Sequence, residues 1–292
     1  MRIKVIAPSA CVDQTAIELA KQNLTELDVD VDFSDHLFEQ YRYLAGTVEQ
    51  KINDLRQALA DQSIDAIWCG RGGTGAAQLL PELSKLTINK PIIGYSDSTV
   101  LLNYVAMQGG TALHAPVFQE IAIKNLNDDR IISIDGQEVL AKLNPMLNTL
   151  ASHYPITPVD QDLQAETLLK GKILGGNLTT LCSLQGTPWA LTLKEDSILL
   201  LEDVGEPYYR LERLLVQLLQ SINTKYLKAV VLGDFHNCPQ KNVPQSIEDI
   251  FAEHLNPLNI ALYKADWFGH GEQNRPFWIG KQGHIQNQQL VI

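Results

Sequence analysis

Lys90-Pro91-Ile92-Ile93-Gly94-Tyr95-Ser96-Asp97-Ser98-Thr99 reads as the end of a buried strand, a sharp turn and the start of a helix. The apolar run stops at Gly94-Tyr95, a serine follows at once, and a helical pattern runs from Ser98 to Met107. A serine at such a turn holds its hydroxyl clear of the backbone, and the N–H of Asp97 points the same way. A nucleophilic serine needs both features: exposure, and a donor for the oxyanion. A plainer reading stands beside this one. Ser and Asp are common caps at a helix start, with the Asp near the positive end of the dipole. The fifth residue from Gly94 is Ser98, so the string is not G-x-S-x-G and an α/β-hydrolase assignment does not follow.

Working outward, the first half alternates strand and helix patterns. Ile3 to Ala7, Val29 to Phe33, Ala66 to Cys69, Pro91 to Tyr95 and Ala112-Leu113 suit strands. Asp13 to Gln22, Thr47 to Gln62, Ala76 to Leu83 and Ser98 to Met107 suit helices. In the second of these, Val48, Ile52, Leu55 and Leu59 share one face. Such alternation implies an α/β domain with a mainly parallel sheet covered on both faces. Ligands bind at the carboxyl ends of strands in such sheets.

The stretch from Pro145 to Lys170 is polar, carries three prolines and has little periodicity. It is expected to connect an N-terminal α/β domain (residues 1–145) to a smaller C-terminal domain (171–292), the connection itself being 146–170. In the second half Ser197 to Leu201, Ala229 to Gly233, Ile260 to Asp266, Trp278 to Gly280 and Gln289 to Ile292 suit strands. Tyr209 to Ser221 and Ser246 to Leu255 suit helices. This less regular order suits a mixed α+β, barrel-like domain.

The chain has 292 residues, 45% of them hydrophobic, which suffices for a sizeable core and favours two domains. Its mean hydropathy is close to zero. No apolar run is long enough to span a bilayer, and the first residues are too soon interrupted by Pro8 for a secretory signal. A membrane partner is therefore not expected. A net charge of −11 argues against a nucleic-acid-binding surface. Cys11, Cys69, Cys182 and Cys238 are scattered without metal-ligand or redox spacing, as free thiols in a reducing cytoplasm would be.

Gly70-Arg71-Gly72-Gly73-Thr74-Gly75 follows a strand, precedes a helix and matches G-x-G-x-x-G, with Asp97 at about the spacing of a ribose contact. Against a dinucleotide site stand its place beyond the first βαβ unit, the position of Asp97 in a turn, and the bulk of Arg71. An anion or oxyanion loop, or a tight turn without a ligand, are the other readings. If Ser96 is a nucleophile it needs a base, usually a histidine oriented by a carboxylate. His270, in the polar loop Phe268-Gly269-His270-Gly271-Glu272-Gln273-Asn274, leads the candidates; His114 and His236 follow. His36, His153, His254 and His284 read as ordinary surface residues. Glu202, directly after Ile198 to Leu201, is a candidate carboxylate, and equally a dipole partner for a helix starting near Pro207. Gly175-Gly176-Asn177-Leu178 reads as a turn into a helix that could line a cleft.

Four segments together resemble the murein tetrapeptide L,D-carboxypeptidases and their microcin-immunity relatives. They are Gly70 to Gly75 with Leu79-Leu80-Pro81; Gly94-Tyr95-Ser96-Asp97; Gly175 to Pro188 running on to Leu201-Glu202-Asp203-Val204-Gly205-Glu206; and Gly269-His270 with Asn274, Pro276 and Gly280. The resemblance spans the whole chain. It implies a serine peptidase with Ser96, Glu202 and His270 as its triad, lying between the domains. The backbone N–H groups of Gly73 and Asp97 would hold the oxyanion, and Gly72 and Thr74 would contact substrate. It also implies cytoplasmic removal of the terminal D-alanine from murein tetrapeptides during cell-wall recycling. A homodimer is suggested; no metal or organic cofactor is required. The family commonly has an aromatic where Thr74 stands, which bears on fine substrate preference. Three alternatives remain: hydrolysis of a peptide-nucleotide antibiotic, with Trp189 as a stacking surface; a dinucleotide-dependent oxidoreductase; and a non-catalytic peptide-binding module.

Overall fold

The structure is a computed structural model that describes residues 1–126, 131–145, 151–159 and 168–292. The chain divides into two compact units: Met1–Thr149 with Arg275–Phe277, and Leu150–Asn274 with Trp278–Ile292.

In the first unit the order is β1 (Arg2–Ile6), α1 (Gln14–Thr25), β2 (Asp30–Phe33), α2 (Val48–Ala60), β3 (Ala66–Cys69), α3 (Leu80–Leu83), β4 (Ile92–Gly94), α4 (Thr99–Met107), β5 (Ala112–His114) and α5 (Ile134–Leu143). The five strands run parallel in the spatial order β2-β1-β3-β4-β5. This doubly wound order has its topological switch point between β1 and β3. Strands β3 and β4 are buried along their whole length, which is why both read as unbroken apolar runs. Helix α2 starts at a capping box: Thr47 accepts the Gln50 N–H, and the Gln50 side chain returns to the Thr47 N–H.

The inward face of α2 also buries two charged residues, Lys51 and Asp54. Asp54 clamps the loop after β2, accepting the backbone N–H of His36 at 3.2 Å and its ring Nδ1 at 2.7 Å. His36 is thus half-buried and paired, not the ordinary surface residue its sequence context suggested. The bond to Asp54 raises its pKa above the ordinary 6.5, against a smaller opposing effect of burial. The stabilisation is complete below the ordinary histidine value and is lost as pH rises through the higher folded value. The melting temperature of the protein is expected to fall as pH rises above the ordinary histidine value, and by less in Asp54→Asn. Parallel melting curves for the two proteins over that rise would refute the assignment.

The second unit comprises β6 (His153–Pro155), β7 (Thr157–Pro158), β8 (Leu169–Asn177), α6 (Leu178–Cys182), β9 (Ser197–Val204), α7 (Tyr208–Ser221), β10 (Leu227–His236), α8 (Ile247–Leu255) and β11 (Ala261–Gly269). It also holds most of β12 (Phe277–Ile279), together with β13 (Gln282–Gln286) and β14 (Gln289–Val291). Phe277 itself belongs to the first unit, where it extends the first sheet beside β5. The second sheet runs β6-β14-β13-β8-β9-β10-β11-β7. Its middle, β8 to β11, is parallel, and each crossover carries a helix. The outermost strands, β6 and β7, are separated in sequence only by Ile156. The sheet must therefore curl until its two margins meet, which makes it barrel-like. Trp267 helps hold that seam, stacking on Tyr154 at 4.4 Å and donating its indole N–H to Pro155 O at 2.8 Å.

The α/β first half and barrel-like second half expected from the sequence are both present. Parts of the expected connection, 146–150 and 160–167, lie outside the described residues. Within the rest, 153–155 and 157–158 are strands. Such two- and three-residue edge strands show no periodicity, and their prolines are tolerated because an edge position needs fewer donors. A second correction concerns Gly175-Gly176-Asn177, read as a turn but forming the end of β8. Gly175 has φ of 124°, and a Cβ there would collide with the Leu200 carbonyl oxygen of β9. The glycine reports close strand approach, not chain reversal. Among the described residues no helix is long and apolar enough to cross a membrane.

Candidate active site

Within the first unit, the loops leaving β1, β3 and β4 gather at the carboxyl edge of the sheet. At the end of β4, Tyr95 is extended and Ser96 flips to φ of 59°. A non-glycine residue in that region costs about 1–3 kcal/mol, and such strain concentrates where a side chain must be aimed. The strand then turns through Ser96–Ser98 directly into α4. The capping alternative is not what the geometry shows. Ser98 makes no side-chain cap bond, and the Asp97 carboxylate turns away to accept the Ala76 N–H at 2.8 Å.

The glycine loop after β3 lies against this turn. A Cβ on Gly72 would sit 2.8 Å from Ser96 Cβ and 2.9 Å from Ser96 Oγ, so the nucleophile candidate occupies the space a side chain would need. On the other side Gly72 O accepts the Ala10 N–H at 3.2 Å. Gly73 and Thr74 are exposed, and Gly72 is buried. Arg71 swings toward the β1 loop, donating to Cys11 O at 2.7 Å.

In the second unit, Glu202 near the end of β9 is fully buried, and its Oε2 lies 2.6 Å from His270 Nδ1. With the carboxylate accepting, Nδ1 carries the proton and Nε2 is the basic nitrogen. The intervening strand, β10, shifts register after Leu232, at Gly233. Bulges of this kind re-aim side chains beside functional sites. The loop carrying His270 is braced on both sides. Asn274 Oδ1 accepts the Gly269 N–H at 3.2 Å, and a Cβ on Gly271 would collide with the Asp234 carboxylate.

The other histidines fall elsewhere. His114 is buried as a packing ring, 4.5 Å from Phe277 and 5.8 Å from Tyr95. His236 sits 3.3 Å from Asp234, and His254 3.0 Å from Glu212. Trp189 is half-buried. Asp203, quoted above only as part of a motif, has a role of its own. Buried beside Glu202, it accepts from Thr179 N–H at 2.9 Å, Thr179 Oγ1 at 2.7 Å and Asn177 Nδ2 at 3.1 Å. Burial pushes its pKa up, the hydrogen bonds oppose this, and the Glu202 charge adds to the rise. Asp203 thereby locks the ends of β8 and β9 together and fixes the strand from which Glu202 projects. The Glu-Asp pair was the available signal, since adjacent residues on a strand face opposite ways.

Residues 3–115 match the LD-carboxypeptidase N-terminal domain of the peptidase S66 family, and residues 170–285 match its C-terminal domain. A murein tetrapeptide carboxypeptidase of Pseudomonas aeruginosa is 40% identical, covering 99% of this chain and 94% of its own length. A probable murein peptide carboxypeptidase of Bacillus subtilis is 28% identical, with 92% and 83% covered. Among solved structures, a muramoyltetrapeptide carboxypeptidase from Oxalobacter formigenes superposes with a TM-score of 0.81 at 22% identity, covering 100% of this chain and 97% of that one. The microcin C7 self-immunity protein MccF, in complex with aspartyl sulfamoyl adenosine, gives 0.81 at 18%, with 100% and 95% covered. At these identities the structural likenesses speak for the fold alone. With both domain matches and a relative at 40% over nearly its whole length, the chain belongs to the LD-carboxypeptidase family, peptidase S66.

Proposed function

We propose that the protein is a serine carboxypeptidase that removes the terminal D-alanine from murein tetrapeptides in the cytoplasm, as a step in cell-wall recycling. The observation that carries the proposal is the buried Glu202 carboxylate on His270 Nδ1 at 2.6 Å. Burying a carboxylate is costly unless it is paired, and this pairing leaves the other imidazole nitrogen ready to act as a base. Ser96, with its φ of 59°, is the nucleophile that base would serve.

In the proposed reaction His270 Nε2 takes the Ser96 proton as Oγ bonds to the scissile carbonyl carbon. The backbone N–H groups of Asp97 and Gly73 receive the oxyanion, with Gly72 and Thr74 against the substrate. His270 then returns the proton to the departing amine of D-alanine as the C–N bond breaks. Water, deprotonated by the same imidazole, releases the acyl group and restores Ser96. Glu202 holds the tautomer and stabilises the imidazolium throughout. The name of the relative at 40% identity supports the choice of substrate.

The test is incubation with lysine- and diaminopimelate-containing tetrapeptides, followed by mass analysis. Loss of one alanine from either is expected; intact tetrapeptide under conditions where the protein is folded would overturn the assignment. A second prediction concerns the glycine that backs the nucleophile. Gly72→Ala places a methyl 2.8 Å from Ser96 Cβ, so the serine must shift. A displacement of about 1 Å is expected to lower kcat about 100-fold. Near wild-type kcat in a folded Gly72→Ala protein would remove Gly72 from the site.

A further inference from the structure

Lys51 is 3% exposed, on the buried face of α2. Lysine is almost never buried to this degree without a close partner. Here the partners are thin. Its Nζ lies 3.5 Å from Gly75 O, at the limit of a hydrogen bond, and no carboxylate forms an ion pair with it among the described residues. The charge that acts on it is Asp97, whose carboxylate opposes the lowering of the lysine pKa by burial. Asp97 is itself 8% exposed and is bonded to the Ala76 N–H at 2.8 Å. The ammonium and the carboxylate therefore bracket one peptide link, Gly75–Ala76, at the end of the glycine loop.

The space is tailored to the charge. A Cβ on Gly75 would lie 2.9 Å from Lys51 Nζ and 2.8 Å from Leu44 Cδ2. A methionine would fill the same volume without the cost of desolvating an ammonium, so packing does not explain a lysine here. The two backbone N–H groups assigned to the oxyanion belong to Gly73, two residues before Gly75, and to Asp97. Both flank this bracket.

We propose that Lys51 is a positioning residue for the reaction. Its buried positive charge fixes the glycine loop against Asp97, keeps the Gly73 and Asp97 N–H groups in register with Ser96, and adds a positive field beneath the site where the oxyanion forms. This rests on the assignment of Ser96 as nucleophile. Lys51 touches neither substrate nor nucleophile in this role. It acts in a low-dielectric environment where an unscreened charge is effective over several ångströms.

The test compares Lys51→Met, Lys51→Gln and Lys51→Arg in the full-length protein, reading kcat and KM on tetrapeptide and the rate at which a fluorophosphonate probe labels Ser96. Labelling forms an Oγ–P bond and expels fluoride, and it needs the oxyanion donors but no peptide recognition. Lys51→Met is expected to lose at least tenfold in kcat and in labelling rate, with KM within twofold. Lys51→Arg, which keeps the charge, is expected to recover most of both, and Lys51→Gln, which keeps only a donor, to stay low. A merely structural lysine would instead lower the melting temperature and leave kcat per folded molecule unchanged, and that outcome overturns the proposal. If Lys51→Met does not fold, the Arg and Gln proteins decide: equal kcat and equal labelling in those two overturn it. If the wild type is labelled on Ser96 yet trims no tetrapeptide, the substrate assignment alone has failed and the labelling rates still judge Lys51. If the wild type is not labelled on Ser96, the nucleophile assignment and this proposal fall together.

Discussion

Ser96→Ala is expected to abolish tetrapeptide trimming while leaving a folded protein that still binds the peptide. The substitution removes one hydroxyl from a half-buried turn. Ser96 caps no helix, and alanine meets the same backbone strain at φ of 59° that serine does, so the stability cost should stay within about 1 kcal/mol. The rate is a different matter. Removing the nucleophile or base of a serine triad costs about 10⁶-fold in kcat, because the residues act as one unit. His270→Ala is therefore expected to be nearly as inactive, and the double variant little worse than either single one. Kinetics on the three proteins, with thermal melts to show that each is folded, make the comparison. Additive losses would mean that Ser96 and His270 do not serve the same step. Near wild-type trimming by Ser96→Ala would remove it as the nucleophile.

Much of the first unit was legible because β3 and β4 are buried on both faces and α1 and α2 on one. Ala66 to Cys69 and Pro91 to Tyr95 announce themselves as apolar runs, and the helix after Thr47 by its 3.6-residue period. The turn at Ser96 was legible for the same reason, since a polar residue that interrupts a buried strand has to go somewhere. The second unit hid more. Strand β8 begins Leu169-Lys170-Gly171-Lys172, whose polar residues mask a strand that is fully parallel-paired further on. The Gly175-Gly176 pair mimics a turn because sequence does not separate a glycine needed for chain reversal from one needed for close approach. Strands β6 and β7 are too short to show a period. Lys51 and Asp54 were invisible for an opposite reason. Charged residues in an amphipathic pattern read as the solvated face, and only the fold reveals that these point inward. In the sequence the pairing of Glu202 with His270, 68 residues apart, comes from the family resemblance, beside two local signals, a carboxylate at the end of a buried strand and a histidine between glycines. Neither is specific alone; it is the fold of the second unit that brings them to hydrogen-bond distance.

Glu202→Gln is expected to lower kcat about 10⁴-fold, the loss seen when the carboxylate that orients a triad histidine becomes an amide. The cause lies in the two carboxylate oxygens. Oε2 accepts from His270 Nδ1, whereas Oε1 is buried without a hydrogen-bond partner among the described residues. Glutamine can meet this arrangement in two ways, and both are unfavourable. If its amide oxygen stays on Nδ1, the histidine keeps the right tautomer, but the NH₂ group is forced into the position of Oε1, where no acceptor is in place. Leaving a buried donor unsatisfied costs about 1–3 kcal/mol. If the amide turns over, the NH₂ donates to Nδ1, the proton moves to Nε2, and the nitrogen that should accept from Ser96 is occupied. In either orientation the negative charge that stabilises the imidazolium is gone. The turned-over state has a signature of its own. It can react only through a species deprotonated at the imidazole, so the residual activity should climb steeply with pH instead of levelling above the histidine pKa. A pH–rate profile of Glu202→Gln beside the wild type reads this directly. A variant with wild-type kcat and an unchanged profile would show that Glu202 has no part in the chemistry, whatever its contact with His270.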